Sequence, residues 1–184
     1  VHLASHALKR GYQASIYTYN LQLFDPSWFQ GKNISIKEKL KLQRQYKKGA
    51  KLKLASKAYE EFLNLGGELL FETLNANLIR SFLKKSTPII TGLSATYLYD
   101  ALREIPETNQ EDDLQGLPVG HFVVICGYEP RKKRVIIADP YSSQLSKGQK
   151  YKVSFDRLVG AIFLGILTYD ANLLVIEPRK EKRQ

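Results

Sequence analysis

The sequence predicts an α+β domain in which an antiparallel sheet packs against helices. Apolar residues recur at helical spacing in several separate segments, and the clearest strand signal is a hairpin formed by residues 119–128 and 134–139. The chain has 184 residues, of which 43% are hydrophobic and 25% charged, as is ordinary for a globular protein with one core. We therefore predict a single domain that spans residues 1–184.

The first 74 residues predict three helices and two strands. Ser35 and Glu38 have the spacing of a capping box, in which each side chain satisfies a free amide at the start of a helix. In chain order, the predicted elements are a helix at 3–8, a strand at 15–19, a basic helix from Ser35 to about residue 48, an amphipathic helix that ends at Gly66, and a short strand at 68–74.

The second half of the chain predicts strands and helices around the hairpin. Asn75 and Asp156 are candidate N-caps, because each has a short polar side chain and precedes a segment of helical periodicity. In chain order, the predicted elements are a helix after Asn75, a buried strand at 89–93, a stretch at 97–102 that fits helix and strand equally, a polar loop at 107–116, the hairpin, a strand at 152–155, a buried helix at 157–168, and a strand at 172–176.

The positive charge of the chain is concentrated in two places. The formal net charge is +10, of which residues 32–57 carry +9 and residues 177–183 carry +2, so that the rest of the chain sums to −1. We predict a basic helical insert at about 32–65 and a basic C-terminal tail at 177–184 on a nearly neutral body.

The basic insert predicts either a solvated surface or a docking face for an acidic protein or peptide at residues 32–57. Binding of nucleic acid is a weaker alternative. Lysines can neutralise phosphates, but Tyr46 is the one aromatic residue among them, so the stacking platform of single-strand binders is missing.

A single cysteine, Cys126, excludes an intrachain disulfide framework and a multi-cysteine metal site, and favours a reducing, cytoplasmic environment. The longest apolar run, 158–167, is about half the length that a membrane-spanning helix needs, so no membrane span is predicted. His2 and His6 have a spacing that can bind zinc, but no third ligand is evident. We expect neither a metal nor a cofactor.

His121 and Asp139 stand at the start of one hairpin strand and the end of the other. If Tyr128 pairs with Arg134, Asp139 becomes the diagonal neighbour of His121 on the same face, at about 7 to 8 Å between Cα atoms. A slip of one residue would place the two side chains on opposite faces. An imidazole that is oriented by a carboxylate can act as a general base.

A general base needs a nucleophile, for which the sequence offers two candidates, Cys126 and Ser94. Cys126 lies five positions from His121, so it should point to the opposite face, about 16 Å away along the strand, and its apolar neighbours predict a buried core residue. Ser94 lacks the G-x-S-x-G elbow that exposes a nucleophilic serine. Neither residue is predicted to be the nucleophile.

The hairpin sequences GHFVVICGY at 120–128 and VIIADP at 135–140 resemble the His/Asp hairpin of bacterial peptidases that remove double-glycine leaders. Those proteins are cysteine peptidases of papain-like fold. The resemblance is weaker over 2–12 and 88–93, and residues 32–57 look particular to a subgroup. It implies a papain-like fold, a peptide or protein substrate, His121 as the general base and Asp139 as its orienting acid.

The chain departs from this family at the nucleophile. The resemblance implies a nucleophilic cysteine and an oxyanion-hole glutamine on an N-terminal helix ahead of the matched segments, and this chain has neither there. Two hypotheses follow: a peptidase whose thiolate comes from sequence outside this chain, or a non-catalytic peptide-binding module of the same fold. The start at Val1 inside a predicted helix favours the first. Either hypothesis predicts that the chain as given is inactive.

Overall fold

The structure is a computed structural model that describes residues 1–31, 35–141 and 149–179. Its α-helices are α1 His2–Lys9, α2 Ile36–Tyr46, α3 Ala50–Asn64, α4 Ala76–Leu83, α5 Ala95–Tyr99 and α6 Phe155–Leu164. Its strands are β1 Tyr12–Thr18, β2 Glu68–Leu70, β3 Ile89–Ser94, β4 Glu104–Ile105, β5 Gln110–Glu111, β6 Gly120–Glu129, β7 Arg134–Ala138, β8 Lys150–Ser154 and β9 Asn172–Pro178. The chain divides into two compact units, one formed by Val1–Glu72 with Leu174–Gln184 and the other by Thr73–Leu173.

The first unit combines strands with the predicted pair of basic helices. β1 pairs with β2 in parallel, and the strand order is β2-β1-β9. α1 packs on β1, while α2 and α3 pack against each other and bury Leu40, Leu52 and Phe62. Ser35 caps α2 as predicted, because its Oγ accepts a hydrogen bond from the Glu38 amide at 3.3 Å.

The second unit is built on an antiparallel sheet with the strand order β3-β6-β7-β8. α6 packs on β3 and also contacts β7 and β8. The shared core consists of fully buried aliphatic side chains from the sheet and the helix, namely Ile89, Leu93, Ile125, Val135, Ile137, Leu158 and Ile162. A mostly antiparallel sheet packed against helices confirms the predicted α+β class.

Two predicted helix starts in this unit have different outcomes. Asn75 caps α4, since its Oδ1 accepts from the Leu78 amide at 3.0 Å. The cap predicted at Asp156 is wrong. Ser154 is the N-cap of α6, and its Oγ accepts a hydrogen bond from the Arg157 amide at 3.1 Å. Asp156 therefore lies in the first turn, where its negative charge interacts favourably with the helix dipole. The helix therefore begins two residues earlier than predicted, and a short 3-10 helix at Gly165–Thr168 continues it.

Some predicted segments take a different form or fall outside the described residues. The ambiguous stretch at 97–102 supplies the end of α5, and the predicted loop at 107–116 contains β5, which pairs with β4. Residues 32–34 of the predicted basic insert and 180–184 of the predicted basic tail lie outside the described residues. Among the helices that the structure describes, none is long and apolar enough to cross a bilayer.

Candidate active site

A β-bulge in the hairpin of the second unit sets the positions of His121 and Asp139. Near the turn, Glu129 pairs with Arg134 and Gly127 with Ile136; beyond Cys126, Ile125 pairs with Ile137. The predicted pairing of Tyr128 with Arg134 is therefore wrong by one residue. The extra residue of the bulge shifts the register by one, so that the pairing predicted for the far end of the hairpin does occur there.

The bulge explains two neighbouring residues. Cys126 and Gly127 both stand opposite Ile136, and a Cβ atom on Gly127 would lie 2.8 Å from the Ile136 Cδ1 atom, so only glycine fits without a shift. Cys126 is exposed, which contradicts the prediction that it is buried. Periodicity assigned it to a regular strand between apolar neighbours, whereas in the bulge it is the unpaired residue.

His121 and Asp139 are in direct contact. His121 is the second residue of β6 and Asp139 directly follows β7, and the His121 Nε2 atom lies 2.9 Å from the Asp139 Oδ1 atom. The Asp139 side chain is fully buried, while 22% of the His121 side chain is exposed. Because an ionised carboxylate only accepts hydrogen bonds, Nε2 donates and Nδ1 is left with the lone pair that can take up a proton.

The Asp139 carboxylate accepts hydrogen bonds from four groups. Oδ1 also accepts from the Tyr141 amide at 2.9 Å, and Oδ2 accepts from the hydroxyls of Tyr151, at 2.8 Å, and Tyr99. Burial by itself raises the pKa of Asp139, but the hydrogen bonds from Tyr99, His121, Tyr141 and Tyr151 outweigh it and hold that pKa below its usual value. The carboxyl group is therefore ionised at neutral pH.

The imidazole of His121 lies at the edge of a cleft with a volume of about 170 Å³. The rings of Tyr99 and Tyr141 contact it, with centroids 6.1 and 5.9 Å from the imidazole centroid. The cleft is lined on its apolar side by Ala95 and Leu102. An oriented imidazole beside a partly apolar cleft can take a proton from a nucleophile and return it to a leaving group held there.

The other candidate residues from the sequence do not line this cleft. Ser94 is 3% exposed and caps α5, with its Oγ accepting from the Tyr97 amide at 3.3 Å. His2 and His6 are exposed residues of α1 in the first unit. Within the described ranges, no group of three or more His, Cys, Asp or Glu side chains is placed to hold a metal ion.

The sequence-based interpretation missed the three tyrosines around Asp139. The Tyr141 amide could have been found, because an Asp-Pro turn often lets the aspartate accept from the amide two residues later. Tyr151 lies on β8, opposite Ile137 of β7, and Tyr99 lies at the end of α5. No local sequence pattern predicts either contact, because each contact depends on how separate elements pack together.

Comparison with known proteins gave one match. A sequence model described as the Peptidase_C39 like family matches residues 16–159, a range that includes His121, Asp139 and the three tyrosines. A search of curated proteins found no match, and neither did a search of solved structures.

Proposed function

This chain belongs to the Peptidase_C39 like family, and on that premise we propose that it is the histidine- and aspartate-bearing part of a cysteine peptidase. The family match establishes a peptidase-like domain, and the α+β structure with its antiparallel sheet is consistent with the papain-like fold. The observation that carries the proposal is the 2.9 Å contact between His121 and a buried, ionised Asp139 at the edge of a cleft. The substrate class is a peptide or protein.

The proposed reaction is acyl transfer to a thiolate. The Nδ1 atom of His121 takes the thiol proton, and the thiolate attacks the carbonyl carbon of the scissile amide bond. The imidazolium then donates that proton to the leaving nitrogen, so the amine departs and a thioester remains. A water molecule hydrolyses the thioester, with His121 again taking and returning the proton. Asp139 stays ionised throughout and stabilises the imidazolium.

The nucleophile of this mechanism is proposed to come from sequence outside residues 1–184. Cys126 is the sole cysteine of the chain. It stands in the bulge, five positions from His121 or about 16 Å along β6, and its Sγ atom lies 3.5 Å from the Ile136 carbonyl oxygen. A thiol at that distance cannot reach the Nδ1 atom of His121.

A second candidate function is a non-catalytic module that binds peptides in the same cleft. The observation in its favour is that the cleft and the His121/Asp139 pair are both present, while the one cysteine of the sequence, Cys126, lies elsewhere on β6 and does not line the cleft. This module would bind a peptide and leave it intact.

The test uses the complete reading frame that encodes this chain, expressed with Cys126→Ser. The variant is treated with iodoacetamide near neutral pH and the alkylated residues are mapped by mass spectrometry. We expect rapid labelling of a cysteine outside residues 1–184, at least about 10-fold faster than that of a free thiol, because a neighbouring imidazole lowers the pKa of a thiol. The same protein should cleave a peptide substrate.

Two results would count against the peptidase. One is a reading frame with no further cysteine; the other is labelling of a further cysteine no faster than that of a free thiol, together with intact peptide. Retention of peptide by such a protein, measured by calorimetry, would support the binding module instead.

For the basic insert, we propose docking of an acidic protein partner at residues 32–57. Within the described part, 35–57, nine basic residues stand against Glu38 alone. Arg44 is neutralised by Glu60 across the two helices, at 2.8 Å. Lys47, Lys48, Lys51 and Lys53 are exposed around the turn between α2 and α3, where like charges raise the local potential that attracts an anionic surface.

Replacing these four exposed lysines by glutamine should weaken binding of a polyglutamate peptide by about 10-fold or more, since about 1 kcal/mol or less per exposed pair adds over several contacts. The measurement is a fluorescence titration at low and physiological salt. A matched control removes the same charge elsewhere, at Lys84, Lys85, Lys132 and Lys133, all exposed in the second unit. Equal weakening in both variants would contradict a localised docking face, and tighter binding of a single-stranded oligonucleotide than of the peptide would favour nucleic acid.

A further inference from the structure

The two oxygen atoms of Asp139 have different partners. Oδ1 faces the Nε2 atom of His121 and the Tyr141 amide, whereas Oδ2 is held by the hydroxyls of Tyr99 and Tyr151. One oxygen therefore belongs to the hairpin and its imidazole, while the other is bound by side chains from two other elements. A carboxylate with hydrogen bonds on both oxygens cannot rotate about its terminal bond without breaking them.

The fold places both tyrosines firmly. Tyr151 lies directly opposite Ile137 of the neighbouring strand and is 8% exposed. Ile137 precedes Asp139 by two residues, so Tyr151 and Asp139 lie on the same buried face of the sheet. Tyr99 is the last residue of α5, which Ser94 caps at its start. α5 packs against α6, and the residue that follows Tyr99, Asp100, forms an ion pair with Arg157 of α6.

The two hydroxyls are neutral donors. Burial, together with the hydrogen bond to Asp139, raises the pKa of Tyr99 and of Tyr151 above the ordinary value of tyrosine. Both phenols are therefore protonated at neutral pH, so each hydroxyl can donate a hydrogen bond to the carboxylate. A fully buried carboxylate without such donors is driven towards its neutral form, because burial penalises the charge.

We infer that Tyr99 and Tyr151 are positioning residues: their hydroxyls keep the Asp139 carboxylate ionised and aimed at His121. A protonated Asp139 could donate its own proton to the Nε2 atom of His121. The carboxyl group would then lack the negative charge that stabilises the imidazolium. The inference deepens the proposed function and rests on it for the role of the pair in catalysis. The state of the carboxylate itself can be measured without a nucleophile.

The experiment follows the titration of Asp139 in the protein expressed from its complete reading frame, labelled with ¹³C at aspartate carboxyl carbons. The Asp139→Asn spectrum assigns the resonance. The variants are Tyr99→Phe, Tyr151→Phe and the double variant, which keep the rings and remove only hydroxyls. Tyr128→Phe is the matched control, because its ring packs against Phe155 and makes no contact with Asp139. The amide spectrum of each variant establishes that it is folded.

The wild-type and Tyr128→Phe carboxyl groups should titrate below the ordinary aspartate pKa of about 3.9. Each of the other single variants should raise the titration midpoint of Asp139 by about one pH unit, as expected for a lost hydrogen bond to a buried charge, and the double variant should raise it further. If both single variants are folded and the titration midpoint of Asp139 in each lies within about 0.2 pH units of the wild-type midpoint, the inference is wrong.

The single variants carry the test if the double variant does not fold. This result is also independent of the proposed function. A raised midpoint in a protein without thiol-dependent activity would support the roles of the two tyrosines and exclude only the peptidase function. Unchanged midpoints in an active peptidase would exclude only the roles of the tyrosines.

Discussion

Replacing His121 by alanine in the proposed cysteine peptidase, expressed from its complete reading frame, is expected to lower peptide hydrolysis by about 10³-fold or more. The variant lacks the group that takes the thiol proton and returns it to the leaving nitrogen. Hydrolysis is measured as kcat/KM across pH. The residual activity of His121→Ala should rise with pH as the thiol ionises on its own, near pH 8.5 for an unperturbed cysteine.

His6→Ala is the control for this variant. His6 is exposed on α1, in the unit that does not contain the cleft, so its removal should leave hydrolysis unchanged. Retention of more than a tenth of the activity by a folded His121→Ala protein would exclude His121 as the general base. Equal losses in both variants would point to a general effect of histidine removal on folding.

Replacing Asp139 by alanine is expected to lower the free energy of unfolding at neutral pH by about 3 kcal/mol, because it leaves one buried and three partly buried donors without their acceptor. Those donors are the hydroxyls of Tyr99 and Tyr151, the Tyr141 amide and the Nε2 atom of His121. Urea unfolding measures the difference. Asp113→Ala is the control, since Asp113 is an exposed side chain whose loss should change stability by less than about 0.5 kcal/mol.

The stability difference between wild type and Asp139→Ala should depend on pH in a defined direction. The folded-state pKa of Asp139 lies below its ordinary value, so the carboxylate stabilises the fold fully above the unfolded-state pKa of about 3.9. The stability that the ionised carboxylate contributes is lost as pH falls from about 3.9 through the lower, folded-state pKa. A difference that stays constant, or grows, across this acid range would show that Asp139 is not ionised in the folded protein.

Strand and helix periodicity predicted most elements of the second unit, but the exact pairing within the hairpin depended on a feature that periodicity does not encode. The predicted pairing of Tyr128 with Arg134 is wrong by one residue near the turn. The bulge at Cys126 adds one residue to β6 and so restores the predicted pairing at the far end of the hairpin. Alternation of apolar and polar residues continues through a bulge without a clear break when the extra residue is a small apolar one such as cysteine.

The contact between His121 and Asp139 was predictable because one hairpin joins the two residues, whereas the contacts of Tyr99 and Tyr151 with Asp139 were not. Tyr99 lies 40 positions before Asp139 in sequence, and Tyr151 lies 12 positions after it. Their approach depends on where α5 ends and on the pairing of β8 with β7. The choice of Ser154 over Asp156 as the cap of α6 is a similar case, since both residue types favour that position and only the backbone decides.

The bulge also divides the hairpin into two parts that differ in their tolerance to insertions and deletions. Residues added or removed within 130–132 would alter the turn and leave the ladder closed by the pairing of Glu129 with Arg134. Lys133 is excluded from this range because its carbonyl oxygen accepts a hydrogen bond from the Phe155 amide at 2.9 Å, at the start of α6. One residue added or removed between His121 and Ile125 would turn the imidazole to the other face of the sheet. A tag or a fused peptide can therefore be accommodated at the tip, whereas the short stretch between the bulge and the imidazole must keep its length.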